Sequence, residues 1–164
     1  MRIAVWEPRF IDASYANRVG KGTHRALDKT TRHARRYRWF LQCDVKQFFP
    51  SIDHAILHAE LTRLIADKEV LWLCDEILKS GVGVLSKEYE MTYFPGDNLF
   101  AANRPRGLPI GNLTSRFLAN VYLNAFDQFV ACELKCPAYL RYVDDFLLFG
   151  DDLKQLYQWR EQQF

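Results

Sequence analysis

Sulfur and backbone breakers are scarce in this chain: its 164 residues include four cysteines, two methionines, six prolines and eight glycines. Cys43, Cys74, Cys132 and Cys136 form no CxxC pair and no zinc spacing, so neither a disulfide framework nor a thiolate zinc site organises the fold. Free, buried thiols in a reducing compartment are expected instead. No apolar run is long enough to span a bilayer and no signal-peptide pattern is present, which predicts a soluble cytoplasmic protein with no membrane partner. Internal repeats and low-complexity linkers are missing too, which excludes a solenoid. A strong charge of one sign is also lacking, since the net charge is only +2. What remains is 49% hydrophobic and 15% aromatic, enough to bury the core of one globular domain.

The small net charge is unevenly spread. Arg32, Arg35, Arg36 and Arg38 crowd one stretch behind Lys21, Arg25 and Lys29, while Asp44, Asp53, Asp144, Asp145, Asp151 and Asp152 follow later. A basic first third suits a polyanion, although a solvated helix face would carry the same charges. Residues 12–36 carry helix-compatible spacing after a loop containing Gly20 and Gly22. Residues 38–45 read as an apolar strand broken by Pro50 and Ser51. Asp53 is placed to cap a helix over 54–66, and a second helix is expected over 68–79, ended by Gly81 and Gly83. Residues 81–107 read as a loop or short hairpin. A helix over 112–132 and a hairpin over 138–149 complete the pattern. Helices and strands that do not alternate predict an α+β fold, with helices packed on one face of a small antiparallel sheet. His54 and His58 stand four apart without a third ligand nearby, so no metal role is assigned to them.

Three segments carry chemistry. Asp44 ends an apolar strand, where a carboxylate needs a cation or a donor. Arg106-Gly107-Leu108-Pro109-Ile110-Gly111-Asn112 opens a helix, with glycines that let a ligand approach the backbone. Tyr142-Val143-Asp144-Asp145 sets two acids at a hairpin tip, where like charges repel unless a cation binds. Asp44, Asp144 and Asp145 on one sheet face would suit two divalent cations about 3.5–4 Å apart acting on a phosphoryl displacement. Hard oxygen ligands point to magnesium.

Together these segments resemble the motifs of reverse transcriptases. Phe40–Ile52 looks like motif A, Gly107–Ser115 like motif B, Tyr142–Asp145 like motif C, and Arg18–Leu27 like the fingers block before motif A in bacterial members. The resemblance covers most of residues 10–150 in the family order and extends to group II intron, retron and diversity-generating retroelement enzymes. It implies a polymerase palm with a small antiparallel sheet backed by helices, plus part of the fingers. About 1–37 would be fingers, about 38–150 palm and 151–164 a short C-terminal helix, with the thumb absent. Asp44, Asp144 and Asp145 match the catalytic carboxylates, and these with the Val45 carbonyl match the metal ligands. Two Mg2+ ions are implied, with Mn2+ as a substitute. Phe49 matches the ring that excludes a ribose 2′-hydroxyl. Ile110 and Gly111, with Val45, match residues bordering dNTP and template. Arg18, Lys21, Arg25, Arg35 and Arg36 are candidate nucleic-acid contacts.

The implied activity is RNA-directed DNA polymerisation, in which a dNTP is joined to a primer 3′-hydroxyl. Its partners would be an RNA template, a DNA or RNA primer and an accessory protein of a retroelement. Ile110 departs from the glutamine usual in the family and resembles diversity-generating enzymes, which implies low fidelity. Upstream triphosphate-gripping residues and a downstream thumb are missing from the pattern, so weak or non-processive synthesis is expected. The competing possibility is a truncated remnant that binds nucleic acid without polymerising. An RNA-dependent RNA polymerase is disfavoured by bulky Phe49, and a nucleotide cyclase by the Arg18–Leu27 block.

Overall fold

The structure, a computed structural model, describes residues 5–82 and 104–163. Among these, a 3-10 turn at Glu7–Arg9 precedes helix α1 (Thr23–Arg36), strand β1 (Trp39–Asp44) and helices α2 (Phe48–Ser51), α3 (His54–Thr62) and α4 (Lys68–Gly81). After the segment outside the described residues come α5 (Leu113–Cys132), β2 (Ala138–Tyr142), β3 (Asp145–Gly150) and α6 (Leu153–Gln163). The expected loop over 81–107 falls largely on residues 83–103, outside the described part. The fold is α+β, with helices on a three-stranded antiparallel sheet of order β1-β3-β2. No helix among the described residues is long and apolar enough to cross a membrane.

By packing, the chain divides into two compact units. One joins Glu7–Val45 with Leu123–Phe164, and the other joins Met1–Trp6 with Lys46–Tyr122. This partition does not run along the fingers and palm limits read from the sequence.

The first unit holds the sheet. Direct pairing of Phe40 with Phe149, Gln42 with Leu147 and Asp44 with Asp145 places these residues on one face. Leu140 and Tyr142 join the same face through β3. Tyr139, Phe146 and Leu148 point to the other face and are buried with Val130 of α5 and with Leu156 and Trp159 of α6. On the first face, Ala26 is the one buried residue of α1 and packs on Tyr15 and Leu140, while His33 of the same helix meets the Phe149 ring at 5.2 Å between centroids. The helix is shorter than the spacing over 12–36 suggests. Asn17, Gly20 and Gly22 adopt positive φ, and Ser14 bridges Arg141 in parallel. The Tyr15 amide donates to the Arg141 carbonyl (3.0 Å) and the Arg141 amide donates to the Ala13 carbonyl (2.9 Å), so this stretch satisfies its backbone against β2 rather than in a helix.

In the second unit α3 and α4 start on aspartate caps. The Asp53 carboxylate accepts from the amides of Ala55 and Ile56 at 2.8 and 3.2 Å, and Asp67 does the same for Glu69 and Val70. Leu57, Leu61, Leu78, Leu108, Leu118 and Val121 form the buried interior. Gly81 is required by close approach: a Cβ there would lie 2.7 Å from the Gly107 carbonyl oxygen. All four cysteines are free, but only Cys74 is buried. Cys132 is exposed and the other two are intermediate, which corrects the expectation of uniformly buried thiols.

Candidate functional site

The sheet unit gathers the three acids. Asp44 is the last residue of β1, Asp145 the first of β3, and the two are direct cross-strand partners. Side chains at such positions leave the same face with Cβ atoms about 4.5–5.5 Å apart. Asp144 belongs to the two-residue connection Val143-Asp144 between the paired ends Tyr142 and Asp145. The acidic tip expected from the sequence is therefore one turn residue and one strand residue. Burial raises the Asp144 pKa above its ordinary value, and the Asp44 and Asp145 charges push it the same way. The Arg141 charge opposes these effects but is the smaller influence.

Val143 takes φ 60°, the only positive φ in the connection. This is the pattern of a type II′ turn, whose first central position usually holds glycine. A β-branched residue there costs about 1–2 kcal/mol. The Arg141 guanidinium bridges the turn from beneath: its Nη1 donates to the Val143 carbonyl at 2.7 Å. The same group forks onto Asp127 of α5, Nε to Oδ1 at 2.7 Å and Nη2 to Oδ2 at 2.6 Å, with both side chains 0% exposed. Tyr139 Oη donates to Asp127 Oδ1 at 2.8 Å, and Arg141 Nη2 donates to Ser14 Oγ at 3.2 Å. Burial works against the Arg141 charge, and the hydrogen bonds and charge of Asp127 more than offset it, so its pKa is raised. Sequence reasoning missed Asp127 and treated Arg141 only as a flank. The available signal was an arginine set directly between the apolar run Ala138–Leu140 and Tyr142-Val143, since a buried charge needs a partner.

The helical unit carries Phe49, Ile110 and Gly111. Phe49 lies in α2, half-buried and edge-on to buried Phe48. Pro50 and Ser51 are part of this short helix instead of a break, because proline is tolerated in a first turn. Motif A residues are laced to motif B residues: the Leu108 amide donates to the Phe49 carbonyl and the Gly107 amide to that of Ile52, both at 2.9 Å. His54 Nε2 donates to the Gly107 carbonyl at 2.7 Å, and Arg104 pairs with Asp53 at 2.6 Å. His58 is bonded to Asp75 at 2.7 Å, so both histidines have structural partners. Ile110 is 53% exposed, and Gly111 stands at φ 102° just before the Asn112 cap, whose Oδ1 accepts from the Ser115 amide at 2.6 Å. Ser115 and Asn120 are fully buried. Phe117 and Val121 are core, as their spacing predicts.

The basic candidates separate into two groups. Arg18 Nε pairs with Glu7 at 2.8 Å, its Nη1 donates to the Ile11 carbonyl at 2.8 Å, and only 6% of its side chain is exposed. Lys21 pairs with Asp12 at 2.7 Å and is 13% exposed. These two tie down the N-terminal strap and leave little surface for a phosphate. Arg25, Arg35 and Arg36 are exposed on α1. Between α1 and the carboxylate-bearing sheet face runs an apolar groove of about 450 Å³, lined by Leu27, Thr30, Phe40, Leu147 and Phe149 together with Asp145.

Among the described residues no group of three or more His, Cys, Asp or Glu side chains closes around an ion unaided. The donor chemistry still fits magnesium, which is commonly held by one or two carboxylates with phosphate oxygens and water completing the octahedron. Asp44, Asp144 and Asp145 supply such an open, hard-oxygen set, and their mutual repulsion is what a cation would relieve.

The family model described as "Reverse transcriptase (RNA-dependent DNA polymerase)" matches residues 2–163. The chain belongs to the reverse transcriptase family. This reverse transcriptase domain is 32% identical over 127 residues to the group II intron-encoded protein LtrA of Lactococcus lactis, covering 77% of this chain and 19% of that protein. It is 30% identical over 128 residues to a 91 kDa protein in the cob intron of Schizosaccharomyces pombe, covering 77% of this chain and 14% of that one. Thus the chain spans about a fifth or less of the length of these relatives. A solved structure of telomerase from Candida albicans, in complex with a fragment of telomeric RNA, superposes with a TM-score of 0.56 at 12% identity, over 91% of this chain and 28% of that chain. At that identity the likeness speaks for the fold alone.

Proposed function

We propose that the chain contributes the catalytic carboxylates of an RNA-directed DNA polymerase, which joins a dNTP to a primer 3′-hydroxyl under direction of an RNA template. The observation that carries this is the Asp44–Asp145 cross-strand pair with Asp144 beside it, on a sheet whose chain matches the family from end to end. In the reaction a bond forms between the primer oxygen and the α-phosphorus, and pyrophosphate leaves. Two Mg2+ ions bound by Asp44, Asp144, Asp145 and the Val45 carbonyl, with Mn2+ as a substitute, would supply hydroxyl activation and charge neutralisation. The protein's own share is positioning, as in other phosphoryl transfers. Phe49 would exclude the ribose 2′-hydroxyl by bulk, and Ile110 and Gly111 would border the nucleotide. Arg25, Arg35 and Arg36 would meet phosphates of template or primer.

Within the family, the group II intron lineage is favoured over retrons and diversity-generating elements, because relatives at 30–32% identity are intron-encoded. An accessory protein and a cytoplasmic site belong to this same proposal. Primer extension on an RNA template with Mg2+ tests it: Asp44→Ala and Asp144→Ala should each abolish incorporation while circular dichroism stays native. Undiminished incorporation by either variant removes the assignment. An intact chain that binds primer-template in a salt-sensitive way yet incorporates nothing would instead support the non-polymerising alternative.

A further inference from the structure

We propose that Arg141 is a positioning residue: anchored by Asp127, it holds the Val143 carbonyl and so fixes the strained turn that carries Asp144. The consequence for metal and nucleotide rests on the polymerase reading, whereas the holding of the turn does not.

Three features converge on this role. First, Val143 occupies a φ of 60° without the glycine or asparagine that normally fills such a position, so its neighbours must over-determine it. Second, the guanidinium reaches the turn with the one nitrogen not used on Asp127: Nε and Nη2 take the two carboxylate oxygens, and Nη1 meets the Val143 carbonyl at 2.7 Å. Third, Asp127 is itself fixed by Tyr139 Oη at 2.8 Å, and the Arg141 backbone is bonded on both sides to Ala13 and Tyr15. The arrangement is rigid from helix α5 through the guanidinium to the turn. A fully buried ion pair is weak evidence for stability, since apolar residues of equal volume often serve as well. A donor aimed at the backbone immediately before Asp144 is what an apolar replacement could not provide. Lysine could not substitute either, because a point charge lacks the planar fork that engages a carboxylate and a third acceptor at once.

The test uses the full 164-residue chain, first without metal. Backbone 15N relaxation should give Val143 and Asp144 order parameters near those of rigid strands, about 0.85, and below about 0.6 in Arg141→Lys, with β2 and β3 shifts otherwise native. Turn amides as ordered in Arg141→Lys as in the parent overturn the proposal. Should that variant fail to fold, the parent protein decides: a scalar coupling across the hydrogen bond from Arg141 Nη1 to the Val143 carbonyl carbon is expected. An ordered guanidinium without that coupling, or one averaged by rotation, overturns it. Mn2+ titration followed by electron paramagnetic resonance then reads the consequence, with the dissociation constant expected to rise tenfold or more in Arg141→Lys. Equal Mn2+ affinity in the two proteins overturns the link from turn to metal. A parent chain with a rigid turn that neither binds Mn2+ nor incorporates nucleotide removes the polymerase reading and leaves the holding role standing.

Discussion

Replacing Asp44 by asparagine should stabilise the metal-free protein while abolishing its response to magnesium. Asp44 and Asp145 face each other across β1 and β3, and Asp144 feels both charges. Asparagine keeps the size and has a similarly poor strand propensity, so the charge is the main thing removed. Both partners are solvent-exposed, which calls for a water-like dielectric. Two charges about 5 Å apart then repel by about 0.8 kcal/mol, and relief at Asp144 brings the total to about 1 kcal/mol. For a chain of this size that is about 2–4 °C in melting temperature. If the proposed metal site exists, magnesium should reverse the order. At a hundred times its dissociation constant a ligand stabilises the folded state by about 2.7 kcal/mol, and Asp44→Asn should forfeit most of that. Thermal melts by circular dichroism, in EDTA and in saturating MgCl2, read both effects. If Asp44→Asn melts below the parent in EDTA, or gains as much from magnesium, the electrostatic reasoning about this face is wrong.

The pH dependence follows from the sign of the Asp144 shift. Its folded pKa is raised, so ionisation costs stability above that value, and the cost fades as pH falls toward the ordinary 3.8. Asp144→Asn should therefore flatten the metal-free stability profile over that acidic window, as followed by urea denaturation at stepped pH. Tyr139→Phe removes the 2.8 Å bond to buried Asp127 and should cost about 1.5–3 kcal/mol in the same assay. Gly81→Ala brings a Cβ to 2.7 Å from the Gly107 carbonyl oxygen, and despite the better helix propensity a loss of about 1–3 kcal/mol is expected. A variant as stable as the parent would show that the α4 end can shift freely.

Much of the architecture was legible because its signals are local. The apolar run from Trp39 to Cys43, the Asp53 cap and the helical spacing of Leu113–Cys132 each declare an element without reference to distant residues. The failures are long-range. Ala13 and Tyr15 lie in a stretch with helical spacing, yet both find a backbone partner in Arg141 of β2, which periodicity cannot report. Arg18 and Lys21 look like polyanion contacts until Glu7 and Asp12 are seen beside them. The hairpin tip is the sharpest case. Its apolar flanks announce two strands, but valine is a poor occupant of a positive-φ turn position, so local preference and fold disagree there. The disagreement is resolved by a guanidinium two residues upstream and a carboxylate on α5, neither of which marks itself as a turn-former. That the conflict falls on the residue just before Asp144 is what a functional turn would show: strain retained where the backbone must carry an acid in one place, and held by a buried network that stability alone would not require.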